Sequence, residues 1–89
     1  MKLDDFNRMC TKRERAWVAE ACGTTEGYLY QLGGGHRKAS PALAIRIEAA
    51  TRMLAKRTGG RLGVVPRASL VKEPRIFDPH ATFALELAL

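Results

Sequence analysis

The feature that most constrains the fold is the order of helix-start and helix-stop residues between positions 11 and 33. Thr11 is followed three residues later by Glu14. This is the spacing of a capping box, in which the hydroxyl and the carboxylate each pair with an otherwise free backbone N–H. The helix that begins there is predicted to end at Gly23, because glycine adopts the left-handed conformation of a helix end at little steric cost.

A second helix start follows this glycine at once. Thr24 or Thr25 is placed to cap a short helix that extends to about residue 32. Two helices that cross at a steep angle over a turn of roughly three or four residues need a small residue at the crossing and apolar residues toward a common core. Ala19 is the small residue, and the inward apolar residues are Val18, Cys22, Leu29 and Leu32. Residues 11–33 are therefore predicted to form a helix-turn-helix.

The flanking segments carry similar signals. Residues 2–9 place apolar side chains three apart, at Leu3, Phe6 and Met9. Ser40-Pro41 combines an N-cap hydroxyl with a proline at the first helical position. The helix that follows extends to about residue 56, with Leu43, Ile45, Ile47, Ala50 and Leu54 as its apolar residues. Glycines at 33–35 and 59–60 end the third and fourth helices. The predicted fold is all-α, a compact domain of four to five helices over residues 1–57.

Composition restricts the class of partner. Lysine and arginine outnumber aspartate and glutamate by 15 to 9, for a net charge of +6. A small basic domain favours a polyanion, either nucleic acid or an anionic membrane. No stretch approaches the ~20 apolar residues of a membrane span and none resembles a signal-peptide core. We therefore expect a cytoplasmic protein that binds no membrane.

Residues that could carry chemistry are sparse. Cys10, Cys22, His36 and His80 show no zinc-site spacing. No nucleophile elbow, phosphate loop or paired-carboxylate signature is present in the sequence. The sequence therefore predicts neither an enzyme nor a protein that holds a metal or a cofactor.

Residues 21–51 read ACGTTEGYLYQLGGGHRKASPALAIRIEAAT, with a GYLYQL core, a glycine-basic turn and an SPALAIRIE helix in that order. In these motifs the chain resembles the Cro/repressor type of helix-turn-helix, and most of all the YdaS-like group of Cro-type prophage regulators and antitoxins. The resemblance implies a bacterial or phage-encoded transcriptional regulator whose third helix enters the major groove of an operator. It implies a repressor of prophage or mobile-element genes. The alternatives are an antitoxin that binds both DNA and a toxin, and a protein-interaction module without DNA binding.

The third helix would then touch base edges with its first turn and its outward face. Glutamine can pair bidentately with adenine, glutamate can accept from cytosine N4, and a threonine methyl can pack against thymine. A glycine costs helix propensity, roughly 1 kcal/mol relative to alanine, and lets the backbone approach DNA closely. The predicted base contacts are Thr25, Glu26, Gly27, Tyr30 and Gln31. The alternative is that these are merely exposed residues on a short helix.

Two groups of cations flank this helix in the sequence. One lies in the first turn of the second helix, where the helix dipole favours acids instead, so an external anion better accounts for it. The other follows the glycine turn. The predicted phosphate contacts are Lys12, Arg13, Arg15, Tyr28, His36, Arg37 and Lys38. The alternatives are a solvated face for both groups of cations and a packing role against the fourth helix for Tyr28.

Beyond residue 57 the pattern weakens. Residues 62–65 suit a short strand, and residues 66–71 suit a helical turn. One module of this kind buries only about 600–1,000 Å² against DNA, so an element that joins two copies is expected. Residues 58–89 are predicted to be a C-terminal extension that makes a homodimer or docks a partner such as a toxin. Its predicted contacts are Leu62, Val64, Val65, Leu70, Ile76, Phe77 and Phe83. The alternative is that the extension folds back on its own domain.

Overall fold

The computed structural model describes residues 1–78, which contain four α-helices and no β-strand. The helices are α1 (Leu3–Met9), α2 (Lys12–Cys22), α3 (Glu26–Gly33) and α4 (Pro41–Arg57). Two short 3-10 turns follow, at Arg67–Ser69 and Pro74–Phe77. The predicted all-α class is confirmed for this part of the chain. The short strand considered for residues 62–65 does not form.

Hydroxyl side chains cap α2, α3 and α4 as the sequence predicts. The Thr11 hydroxyl accepts from the backbone N–H of Glu14 at 3.0 Å, and the Glu14 carboxylate accepts from the backbone N–H of Thr11 at 2.8 Å. Thr25 caps α3 and Ser40 caps α4, in each case by accepting the N–H three residues later. Pro41 then occupies the first helical position. The helix starts are therefore set by local hydrogen bonds.

The turn between α2 and α3 spans residues 23–25. Gly23 has a φ of +68°, in the left-handed region. Its N–H donates to the carbonyl of Glu20 at 3.1 Å, and the N–H of Thr24 donates to the carbonyl of Ala19 at 2.9 Å. These two bonds make a Schellman motif. A side chain at position 23 would strain this backbone, so glycine fixes where α2 ends and how α3 leaves it.

One apolar core joins the four helices. Phe6, Val18, Leu29 and Ile47 come from α1, α2, α3 and α4 in turn, and all four are fully buried. Helix α1 packs on α3, while α2 packs on both α3 and α4. The short α3 is therefore supported by two helices, and it leaves Gly27, Tyr30 and Gln31 exposed.

The C-terminal segment (residues 58–78) belongs to the same core, which corrects the predicted boundary at residue 57. Leu62 and Val65 have no exposed surface, and Leu70 and Val71 are also buried among the core residues of the helices. Such side chains cannot form a subunit interface while the core is intact. The predicted dimer contacts at Leu62, Val65 and Leu70 are therefore wrong, and the fold-back alternative describes residues 62–71.

The other predicted dimer contacts divide into two groups. Val64, Ile76 and Phe77 are partly buried, and the last two pack against the core. Phe83 lies outside the described residues.

Polar contacts anchor the C-terminal segment along α4. The N–H of Val65 donates to the Thr51 hydroxyl at 3.0 Å. Both the backbone N–H and the Nε of Arg67 donate to the Glu48 carboxylate at 2.8 Å. These donors, the backbone N–H first, hold the pKa of Glu48 below its usual value. The segment is thus fixed by directional bonds as well as by apolar packing.

Helices α1 and α3 are in close contact at Asn7 and Gly33. Asn7 is 3% exposed, and its Nδ2 donates to the carbonyl of Leu29 at 3.0 Å. A Cβ built on Gly33 would lie 2.8 Å from that Nδ2 and 3.3 Å from the backbone of Asp4. No side chain fits there unless α1 moves away from α3.

We expect Gly33→Ala to lower the free energy of unfolding by about 1–2 kcal/mol, since overpacking outweighs the gain in helix propensity. Urea unfolding followed by circular dichroism measures the change. Gly27→Ala is the matched control, because a Cβ there meets only the Thr25 hydroxyl at 3.9 Å. The free energy of unfolding of the control should rise by up to about 1 kcal/mol. An equal rise in the free energy of unfolding of both variants would contradict the close contact between α1 and α3.

Candidate nucleic-acid interface

The outward surface of α3 carries the residues that the sequence assigned to base contacts. Gly27, Tyr30 and Gln31 are exposed and lie within one turn of one another on the same face of the helix. Thr25, the N-cap, is exposed, and Glu26 is partly exposed. All five therefore lie at the start or on the open face of the helix, where a partner could reach them.

Nothing within the described residues requires glycine at position 27. Its φ is not in the left-handed region, and an added Cβ would make only an ordinary contact with the Thr25 hydroxyl. A glycine inside a helix costs roughly 1 kcal/mol relative to alanine. In contrast to Gly33, which is needed for the contact with α1, Gly27 lowers helix stability with no packing gain.

Exposed cations lie on both sides of α3 in the chain. Lys12 and Arg13 are exposed in the first turn of α2. Arg37 and Lys38 are exposed in the loop after α3, and none of these four forms a salt bridge within residues 1–78. Their charges are therefore not neutralised by acids of the described chain.

The loop that holds the second group of cations has a defined start. Gly35 has a φ of +81°, and the N–H of His36 donates to the carbonyl of Gln31 at 3.0 Å. This bond ties the exposed His36 to the end of α3. The N–H of Ala39 donates to the carbonyl of Leu70 at 2.8 Å. The loop is thus held at both ends, so its cations project from a fixed backbone.

Arg15 does not have the surface position that a phosphate contact needs. Its side chain is 12% exposed, and its Nη2 donates to the carbonyl of Asn7 at 2.6 Å. Its Nη1 lies 3.8 Å from the Glu26 carboxylate, and its guanidinium lies 4.8 Å from the centre of the Tyr30 ring. The prediction of a phosphate contact at Arg15 is corrected, because the guanidinium is enclosed by α1 and α3.

Tyr28 is partly buried and packs against the core, as does Trp17. Its predicted phosphate contact and its alternative packing against the fourth helix both stay predictions. Its backbone N–H donates to the Thr25 hydroxyl.

Asn7 and Arg61 take part in this region but carried no signal in the sequence. The carbonyl and the amide of Asn7 link α1 to Arg15 and to α3. Arg61 pairs with the Glu14 carboxylate and donates to the carbonyl of Met9 at 3.2 Å. Both side chains bridge elements that are distant in sequence, so no local pattern marks them.

The described residues hold neither a cluster of metal ligands nor an exposed thiol. No group of histidine, cysteine and acidic side chains in residues 1–78 could hold a metal ion. Cys10 and Cys22 are buried, and burial raises the pKa of both thiols, which keeps them protonated. Over the same residues, no helix has the length and apolarity to cross a bilayer.

No family model, no curated protein and no solved structure matches this chain. The resemblance carried by residues 21–51 therefore stays a prediction.

Proposed function

We propose that the protein is a sequence-specific regulator of transcription that binds double-stranded DNA. The segment from α2 to α3 would act as a helix-turn-helix of the Cro/repressor type. The observation that carries the proposal is the outward face of α3, on which Gly27 and Gln31 are exposed. Before and after this helix in the chain lie exposed cations that form no salt bridge within residues 1–78.

The chemistry of this face suits base edges in the major groove. The amide of Gln31 can both donate to and accept from adenine, and the Glu26 carboxylate can accept from cytosine N4. Thr25 lies at the N-terminal end of α3, from which recognition helices make their base contacts. A bare backbone at Gly27 allows the closest approach to the groove, which would account for a glycine that the fold does not need.

The flanking cations suit the two sugar-phosphate backbones. Lys12 and Arg13 would bind on one side of the groove, and His36, Arg37 and Lys38 on the other. Phosphate contacts of this kind fix the register of the helix without reading sequence. Their contribution should depend strongly on salt, because each neutralised phosphate releases a counterion.

Regulation would follow from occupancy of an operator that overlaps a promoter, with the protein as a repressor. The resemblance of residues 21–51 to prophage regulators favours prophage or mobile-element genes as the target. Selection of bound duplexes from a random DNA pool supplies the direct test. Recovery of a single motif supports the proposal, and recovery of unrelated sequences refutes sequence-specific binding.

We expect Gln31→Ala to relax the preference at one base pair of the selected motif and to cost about 1–3 kcal/mol in specific affinity. Affinity for a shuffled duplex should hardly change, because the amide contacts a base and no phosphate. Fluorescence anisotropy with both duplexes measures the difference. Met53→Ala, a change at an exposed residue of α4, is the control and should leave both affinities unaltered. An equal loss on both duplexes after Gln31→Ala would mean that α3 is not the reading helix.

A further inference from the structure

The Arg15 guanidinium lies where α1, α2 and α3 meet. It extends from the first half of α2, donates to the backbone carbonyl of Asn7 in α1, and faces two residues of α3. Those two residues are Glu26, whose carboxylate is 3.8 Å from Nη1, and Tyr30, whose ring centre is 4.8 Å from the guanidinium carbon. A single cation therefore contacts two of the five residues assigned to base contacts.

The burial of this cation carries a cost in free energy. Its side chain is 12% exposed, and its Nε is buried with no hydrogen-bond partner in residues 1–78. Removing a guanidinium from water is expensive, and buried ion pairs can often be replaced by apolar side chains with little loss or even a gain of stability. An orphaned N–H adds to the cost. An apolar residue of similar length would avoid these costs, but it would leave the Asn7 carbonyl with only the weak Cys10 thiol as a donor.

The geometry is suited to holding the α3 side chains in place. The planar guanidinium can contact a carboxylate with one edge while its face lies over an aromatic ring, which a lysine ammonium cannot do. Its anchor is the carbonyl of Asn7, a backbone group of α1 that cannot rotate away. Glu26 is 35% exposed and Tyr30 is 51% exposed, so without this support both would sample several rotamers in solvent.

We propose that Arg15 is a positioning residue that presets Glu26 and Tyr30 for base recognition without touching DNA itself. The inference rests on the proposed function, because it concerns the accuracy of that DNA contact. A reading surface that is ordered before binding loses less side-chain entropy in the complex. Fixed side chains at Glu26 and Tyr30 should raise the affinity for the operator sequence, where both side chains contact bases. The affinity for other sequences, where these contacts do not form, should stay the same.

This role differs measurably from the phosphate contact that the sequence suggested. A phosphate contact at Arg15 would contribute equally to all duplexes and would add about 0.9 to the salt dependence, the slope of log affinity against log salt. A positioning residue contributes to the ratio of specific to non-specific affinity and leaves the salt dependence unchanged.

The test compares Arg15→Met with Arg13→Met on two short duplexes, one with the motif selected by the wild-type protein and one with the same bases shuffled. Both variants remove one positive charge from the same turn of α2, but only Arg13 is exposed. For Arg15→Met we expect the Kd for the motif duplex to rise roughly tenfold. The Kd for the shuffled duplex and the salt dependence should both stay unchanged, so the ratio of the shuffled-duplex Kd to the motif-duplex Kd falls tenfold. For Arg13→Met we expect both Kd values to rise and the salt dependence to fall by about 1.

A readout on the free protein separates this role from simple stabilisation. In the wild type, nuclear Overhauser contacts should join the Arg15 side chain to the Tyr30 ring. In Arg15→Met the Tyr30 ring signals should move toward solvent-averaged positions while the signals of the buried Leu29 stay in place. Arg15→Lys, which keeps the charge without the planar fork, should recover only part of the lost discrimination.

Three outcomes overturn the inference. A fall in salt dependence for Arg15→Met would make Arg15 a phosphate contact, and an unchanged Kd ratio in a folded Arg15→Met protein would make it a structural residue only. Unchanged NMR signals of the Tyr30 ring in that variant would show that Arg15 does not hold Tyr30 in place. A wild-type protein that binds both duplexes equally refutes the proposed function before any variant is compared, so the two failures can be told apart.

Discussion

A chain that stops after Gly60 is expected to be unfolded at 25 °C. It would lack Leu62, Val65, Leu70 and Val71, which are all buried in the same core as the helices. Burial of one such side chain contributes about 1.5–3 kcal/mol, so the four together contribute about 6–12 kcal/mol. A natural domain has a total stability of only about 5–15 kcal/mol. Loss of the cooperative transition in thermal and urea unfolding, followed by circular dichroism, is the expected result.

Two neighbouring valines offer a matched test of the same point without truncation of the chain. Val65 is fully buried, whereas Val64 is partly exposed. Val65→Ala should cost about 1–3 kcal/mol of unfolding free energy, and Val64→Ala should cost clearly less. A truncated chain that keeps native helix content and unfolds cooperatively would show that residues 1–60 are a domain by themselves.

Replacement of Lys12, Arg13, Arg37 and Lys38 by glutamine is expected to lower the affinity for any DNA duplex roughly a hundredfold or more at physiological salt. Each cation that meets a phosphate contributes about 0.9 to the salt dependence, so the slope should fall by about 3–4. The fold should be unaffected, because all four side chains are exposed and surface substitutions usually change stability by less than about 0.5 kcal/mol. Anisotropy titrations over a range of salt concentrations give both quantities.

The control for charge removal is the pair Arg8→Gln and Arg52→Gln. Each of these arginines lies beside an acid, Asp5 or Glu48, so its charge is already partly balanced. The control should change the salt dependence much less per charge than the fourfold variant. Equal effects per charge would mean that net charge, and not the position of the cations around α3, governs binding.

The parts of the fold that can be predicted from the sequence are those set by interactions between residues a few positions apart in the chain. The caps at Thr11, Thr25 and Ser40 each act on the N–H three residues later. The turn at Gly23 depends on carbonyls three and four residues earlier. The outward face of α3 follows from helical periodicity alone once its buried residues, Leu29 and Leu32, are recognised. The positions of the candidate base contacts were therefore accessible to sequence reasoning.

The parts that the sequence could not supply depend on contacts between distant residues. The apolar pattern after residue 60 shows that those side chains need burial, but it does not distinguish a partner subunit from the chain's own core. The acceptors that hold the segment, Thr51 and Glu48, lie 14 and 19 residues from their donors. The burial of Arg15 could not be predicted for the same reason. A charged residue in the first turn of a helix is expected to be exposed, and only its contacts with α1 and α3 show that it is not.

The way in which residues 58–78 complete the core also bears on how long the protein would survive in a cell. Residues 59–61 are exposed, and Arg61 becomes a site for a trypsin-like protease once its contacts with Glu14 and the Met9 carbonyl open. Proteases attack such accessible stretches first. One cut there would leave Leu62, Val65, Leu70 and Val71 held only by non-covalent contacts, and their release would expose the core of the remaining piece. A cut in this stretch, which lies outside all four helices, would therefore shorten the lifetime of the folded protein.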